Sequence, residues 1–212
     1  MEKRALILWG GWPGHQPELG AKMVAGMLAS EGWATDITDD VTALGRAADY
    51  DLVVPNVTGG EIEKDVARAL SAAVRNGTGL AGFHGCLATS FPASEIFGFV
   101  AGVRFVGHPG NIIDYRVNIT RPHDPLVAGI PDFDYRSEQY YLHYDPSIEI
   151  LATTTFSGDH DPVTRNVAMP VVMKRHFGEG RVFWSALGHV PDEFRHEHMR
   201  ELLRRGLLWA GR

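Results

Sequence analysis

The first half of the chain alternates short, unbroken apolar runs with amphipathic stretches, and this alternation restricts the fold more than any other feature. Ala5-Leu6-Ile7-Leu8-Trp9 contains no polar residue, as expected of a strand buried on both faces. Over residues 18–31, Leu19, Met23, Val24, Met27 and Leu28 recur at helical spacing, and Gly32 stops the pattern. Further strands are predicted near 33–38, at 51–55 and at 79–83. Between the last two, a helix carries Ile62, Val66, Leu70 and Val74 on one face and ends at Asn76-Gly77. Repeated strand–helix units of this size imply a parallel sheet with helices on both faces. In the second half strand signals dominate, over 111–120, 148–156, 170–177 and 181–187. The last two flank Gly178-Glu179-Gly180, a good three-residue hairpin loop. A closing helix is predicted over 192–209, with Phe194, Met199, Leu202, Leu203 and Leu207 as its apolar stripe. The expectation is one α/β domain over 1–212, a parallel sheet with an antiparallel extension in its C-terminal half.

Charge and composition narrow the partners. Twenty basic against 26 acidic side chains give a formal net charge of -6, which argues against nucleic-acid and anionic-membrane partners. The apolar stretch 5–9 is too short for a signal core or a membrane span. Cys86, the single cysteine, cannot form an internal disulfide, so nothing demands an oxidising compartment. A soluble cytoplasmic protein is expected.

Glycines and histidines gather just after the apolar runs. In open α/β sheets, ligands bind outside the carboxyl ends of the strands. His15 follows the first strand, His84 the fourth, His108 lies in Gly107-His108-Pro109-Gly110, and His189 ends the run that begins at Val182. Taken singly, each could be an ordinary loop histidine. Four at equivalent addresses predict that some of them meet in one pocket, as acids, bases or metal ligands. The stretch Arg136–Tyr144 has two readings. Glu138 among Tyr140, Tyr141 and Tyr144 could be an acid or base beside aromatic platforms for a sugar ring, or the stretch could be a half-buried strand.

Other motifs carry less. His196 and His198 are two apart on the closing helix and point away from each other, so they are no zinc-protease pair. Asp159-His160-Asp161 sits in a polar loop, and Gly10-Gly11-Trp12-Pro13-Gly14 lacks the Lys-Ser/Thr of a phosphate loop.

Gly10-Gly11-Trp12-Pro13-Gly14-His15-Gln16-Pro17, Gly82-Phe83-His84-Gly85, Gly107-His108-Pro109, Ser137-Glu138-Gln139-Tyr140-Tyr141 and the run from Met169 to His189 together resemble the ThuA-like (trehalose utilisation) family. The likeness runs in order over about residues 4–210. It implies a flavodoxin-like sheet, as in class I glutamine amidotransferases, and a role in disaccharide catabolism, acting on 3-keto sugars made by a partner dehydrogenase. Amidotransferases place a nucleophilic cysteine on a strained Gly-x-Cys-x-Gly elbow, partnered by a later histidine. Here the elbow reads Gly82-Phe83-His84-Gly85-Cys86, so His84 holds the nucleophile position. His189, with Asp192 and Glu193 just after it, matches the partner histidine and acid. Without an elbow thiolate, glutaminase chemistry is not expected unless Cys86 takes it over.

The leading expectation is an enzyme that cleaves or isomerises a keto-disaccharide related to trehalose by His/Glu chemistry. Glu138 or His84 would be the base and His189 the acid, with His15 and His108 positioning hydroxyls. Trp12, Tyr140, Tyr141 and His143, together with His108, would hold the sugar. The imidazoles could hold a divalent metal (Zn or Mn), though no HExxH or CxxC motif fixes one. The alternative is a non-catalytic sugar-binding or regulatory module that has lost its nucleophile. A homo-oligomer is compatible with exposed aromatics such as Trp209.

Overall fold

The four strands expected in the first half form as β1 (Arg4–Gly11), β2 (Ala34–Thr38), β3 (Leu52–Thr58) and β4 (Gly79–Phe83) in the computed structural model, which describes residues 2–212. They alternate with α1 (Pro17–Ser30), a 3-10 segment at Val41–Asp49 and α2 (Lys64–Arg75). After β4 come a single irregular turn, α3 (Gly85–Ala88), then α4 (Glu95–Ala101), β5 (Val103–Gly107), β6 (Ile112–Ile119) and β7 (Phe133–Glu138). The chain ends with β8 (Tyr141–Tyr144), β9 (Glu149–Thr155), β10 (Ala168–Phe177), β11 (Gly180–Ser185), a 3-10 turn at Pro191–Arg195 and α5 (Glu197–Ala210).

The main sheet runs β2-β1-β3-β4-β11-β10-β9-β6-β7. Its first five strands are mutually parallel, and from β10 onward every pairing is antiparallel. The parallel half has the 2-1-3-4-5 order of a flavodoxin-like sheet, with β11 taking the fifth place. Ala5–Leu8, Leu52–Val54 and Gly79–Phe83 are buried without alternation, so both faces are covered. α1 and α5 pack together on one face, while α2, the 3-10 segment and α4 cover the other.

Several elements depart from the expected ones for physical reasons. Of the expected α1 stripe, Val24 and Leu28 are buried and Met23 and Met27 pack half-buried on the core, while Gly20, Ala21 and Ala25 complete the face toward the sheet. The helix lies close to the strands: a Cβ on Gly20 would stand 3.0 Å from Nδ2 of Asn56. Leu19 consequently remains 47% exposed. The predicted closing helix is broken at His196, whose extended backbone separates the 3-10 turn from α5 and whose Nδ1 accepts the Met199 N–H at 3.4 Å. The stretch 136–144 is not one strand. It leaves the main sheet after Glu138, crosses through Gln139-Tyr140, and pairs with β5 as a separate two-stranded sheet.

The β6–β7 hairpin is tied to the parallel half through β7. Tyr135 donates its hydroxyl to Oε2 of Glu193 at 2.6 Å, and Phe133 packs its ring against His196 and His198 at 5.2 and 5.1 Å. This brings the end of β7 to the carboxyl ends of β1, β4 and β11.

Candidate active site

His84 occupies a sharp elbow between β4 and α3, with φ 46° and ψ -117°. A side chain at positive φ in that region costs on the order of 1–3 kcal/mol and persists only where its surroundings hold it. Here the His84 N–H donates to Ser185 O at 2.6 Å, and its carbonyl accepts the Trp184 indole N–H at 3.0 Å. Its ring Nδ1 donates to Ala186 O at 3.1 Å. Because that partner is a carbonyl, Nδ1 carries the proton and Nε2 turns its other site toward the cluster. Gly85 completes the elbow: a Cβ there would meet Thr58 Oγ1 at 2.7 Å and His15 Cε1 at 3.3 Å.

Four loops deliver side chains to one point. His15 follows β1, His84 follows β4, Glu138 ends β7, and His189 follows β11. The three imidazole rings lie 4.8 to 5.0 Å apart between centroids. One ligating atom from each of the four residues falls within 4.8 Å of every other. Glu138 Oε2 is 3.1 Å from His84 Nε2, and Oε1 is 3.6 Å from His108 Nε2 and 3.7 Å from His189 Nε2. Tyr140 Oη is 2.8 Å from His84 Nε2, and His15 Nδ1 is 2.7 Å from Thr58 Oγ1. Both ring nitrogens of His189 are buried without a hydrogen-bond partner, as is Nδ1 of His108.

The charges follow from the packing. Burial, then the neighbouring His84 and His189, pushes the His15 pKa down to about 3. Burial and His84 likewise push His189 down. Both rings are therefore neutral at neutral pH. For Glu138, burial pushes upward, but the hydrogen bond and charge of His84, with His189 and His108, outweigh it and hold the carboxyl at about 2. An ionised carboxylate thus lies beside the neutral rings of His15 and His189. The void beside His15, His84 and His189 is about 10 Å³, the size of a single atom or water and far too small for a sugar ring.

The expected site residues divide into three groups. His15, His84, Glu138 and His189 converge, and His108 joins them at the rim, its side chain 30% exposed. Trp12 stands edge-on to His15 at 4.7 Å and is 53% exposed, open to a ligand. Tyr140 reaches the site but is buried against Phe105 and His84, so it holds His84 and offers no ring face to a sugar. Tyr141 packs half-buried on Phe156 instead of facing the cluster. His143 does not reach it at all: it lies opposite Arg104 on the β5–β8 ribbon and points to solvent. His189, expected as the acid, is pushed toward its neutral form by burial and by His84.

Cys86 is excluded as a nucleophile. It is buried, its thiol donates to Asn56 Oδ1 at 3.1 Å, and burial pushes its pKa up to about 12. The acidic residues after His189 do not bond its ring either. Asp192 pairs with Arg195 at the surface, and Glu193 Oε2 accepts the backbone N–H groups of Gly188 and His189 at 3.1 and 2.9 Å. Thr58 and Ala186 are additional positioning groups. Thr58 ends β3, the same kind of strand end that carries the histidines; the carbonyl of Ala186 leaves no trace in residue type.

Among the described residues no helix is long and apolar enough to cross a membrane. The fold is similar to that of a ThuA-like protein from Parabacteroides merdae ATCC 43184, with 19% identity and a TM-score of 0.82 over 99% of this chain and 90% of that one. A ThuA-like protein from Bacteroides uniformis ATCC 8492 gives 18% identity and a TM-score of 0.76, over 98% and 91%. A cytoplasmic protein from Salmonella typhimurium LT2 gives 14% and 0.65, over 99% and 100%. No curated protein matches the sequence. The family model described as ThuA, trehalose utilisation, matches residues 4–210 and spans every loop of the site, so the chain belongs to the ThuA family.

Proposed function

We propose that the chain is a carbohydrate-catabolic enzyme that cleaves or isomerises a keto-disaccharide related to trehalose. The observation that carries this reading is the convergence of His15, His84, Glu138 and His189, with His108 and Trp12 at the mouth, in a chain of the trehalose-utilisation family. A ketone on the ring makes the neighbouring C–H acidic, and a base that removes this proton leaves an enediolate. Returning the proton to the adjacent carbon isomerises the sugar. If the glycosidic oxygen lies β to the ketone, the same electron pair expels it, and an acid must protonate it as it leaves.

Glu138, ionised and central to the cluster, is the base in this reading; the low pKa that His84 imposes weakens it unless the substrate loosens that contact. His108 suits the proton donor, because it is partly exposed and its Nε2 lies 3.6 Å from Glu138 Oε1. The void within the cluster is too small for the ring, so the sugar would lie outside it against Trp12, whose exposed indole offers an apolar face. Glutamine hydrolysis has no place in this reading, since a histidine occupies the elbow. A cytoplasmic setting fits the unpaired cysteine and the cytoplasmic description of the Salmonella relative.

The test offers purified protein trehalose and its 3-keto form, and follows glucose release and movement of the carbonyl. Turnover of the keto form only, reduced at least about 100-fold by Glu138→Gln, is expected. Sugar binding with no turnover of any keto-glycoside would favour the non-catalytic module.

A further inference from the structure

We propose that His15, His84, His189 and Glu138 bind one divalent transition-metal ion, whose outward face takes the carbonyl and adjacent hydroxyl oxygens of the sugar. The ion site stands on the geometry alone; the sugar's place on it rests on the function proposed above.

His189 is buried with neither ring nitrogen bonded, although a buried imidazole nitrogen without a partner is costly. The bond from His84 Nδ1 to Ala186 O aims Nε2 into the cluster, 3.1 Å from a Glu138 oxygen and 2.8 Å from the Tyr140 hydroxyl. A ring nitrogen and a carboxylate attract at that distance when a proton or a metal ion lies between them. His15 has the same construction, with Nδ1 on Thr58 Oγ1 and Nε2 left over. Three imidazoles and one carboxylate therefore bring their ligating atoms to one region, with no Lys or Arg among them.

The arrangement has the further features of a metal site. The four ligating atoms lie within 4.8 Å of one another, and ligands about 2.1 Å from a common ion stand no more than about 4.2 Å apart, so a small side-chain contraction closes the shell. The hydrogen bonds from His84 to Ala186 and between His15 and Thr58 fix ring orientation, the usual task of groups behind ligating histidines. A void of about 10 Å³ lies beside three of the four, His15, His84 and His189. Nitrogen-rich ligation with one carboxylate suits zinc, manganese or cobalt better than magnesium or calcium, which take oxygen ligands. Four protein ligands leave the side toward His108 and Trp12 for an incoming oxygen pair, and an ion there would draw electron density from a ketone.

Untagged full-length protein, stripped with a chelator and dialysed, is titrated with Co2+ by absorption and with Zn2+ by calorimetry. One equivalent is expected, with the visible bands of cobalt bound to nitrogen. His189→Ala and Glu138→Gln should each weaken binding by more than about 100-fold, and Thr58→Val by about 10- to 100-fold. His143→Ala, on the exposed ribbon, should bind as the wild type does. Thr58→Val leaves every ligand in place, so it keeps the test valid if a ligand variant misfolds. Absence of stoichiometric binding, or binding that Glu138→Gln, His189→Ala and Thr58→Val all leave intact, overturns the site. Keto-sugar turnover that persists in metal-stripped protein overturns the ion's role while leaving the proposed function standing. Metal binding lost in the ligand variants, with no turnover of keto-glycosides by any loaded form, leaves the ion site standing and defeats the proposed function.

Discussion

Nε2 of His84 lies 3.1 Å from Oε2 of Glu138, although β4 and β7 are far apart in the sheet order. The contact exists because the β6–β7 hairpin is bound back to the parallel half through Tyr135 and Glu193. The antiparallel extension is thus part of the site, supplying the one carboxylate among three imidazoles.

The elbow conformation can be tested against side-chain loss. His84→Ala and His84→Gly both remove the imidazole and its bonds, but alanine keeps the positive-φ penalty while glycine escapes it. The glycine variant should be more stable by about 1 kcal/mol, a melting temperature about 2–4 °C higher at this chain length. Thermal unfolding of the two checks this, and an alanine variant as stable as the glycine one contradicts it.

Cys86 should be chemically silent in the folded state. The reactive form is the thiolate, and a pKa pushed up to about 12 keeps it scarce at every pH below that value. Alkylation of native protein should therefore stay slow from neutral to moderately alkaline pH, where an ordinary thiol accelerates. Unfolded protein should react normally, and Cys86→Ala should retain turnover. Rapid labelling of the native state would place the thiol elsewhere.

Glu193 is expected to matter through the backbone. Its Oε2 receives the N–H groups of Gly188 and His189 and the hydroxyl of Tyr135. Glu193→Ala strands those donors and should cost about 2–4 kcal/mol, whereas Glu193→Gln keeps a carbonyl acceptor and should cost less. Thermal unfolding and sugar kinetics together check the assignment. A loss of kcat with no loss of stability would mean that Glu193 acts on the substrate instead.

Tyr140→Phe removes the hydroxyl that His84 Nε2 faces at 2.8 Å while preserving the ring packing on Phe105. A destabilisation of about 1 kcal/mol and a larger fall in kcat than in stability are expected. If sugar affinity alone falls, Tyr140 contacts the ligand, contrary to its burial.

The parallel half was legible in the sequence because strands buried on both faces read as near-continuous apolar runs, here Ala5–Leu8, Leu52–Val54 and Gly79–Phe83. The histidine loops were legible for the same reason: their addresses follow from where those runs stop. Elements of four to seven residues, such as α4, β5 and β8, are too short to show a period. The stretch around Glu138 misled in detail because it turns out of one sheet into another between Glu138 and Tyr141. That turn sends Tyr140 inward and His143 outward, which alternation alone does not specify. The small-residue face of α1 was hidden by larger residues beside it: Leu19 looks like part of the core stripe until the nearness of the strands is known.

The central claim is that residues from four separate strand ends act as one site. A double-mutant cycle on keto-disaccharide turnover tests it most directly, with His15→Ala, Glu138→Gln and the pair, each checked for folding. Residues that act as a unit are strongly non-additive, so the pair should lose little more kcat/KM than the worse single variant. Losses that multiply across the two positions, or a His15→Ala variant with full activity, would contradict a shared site.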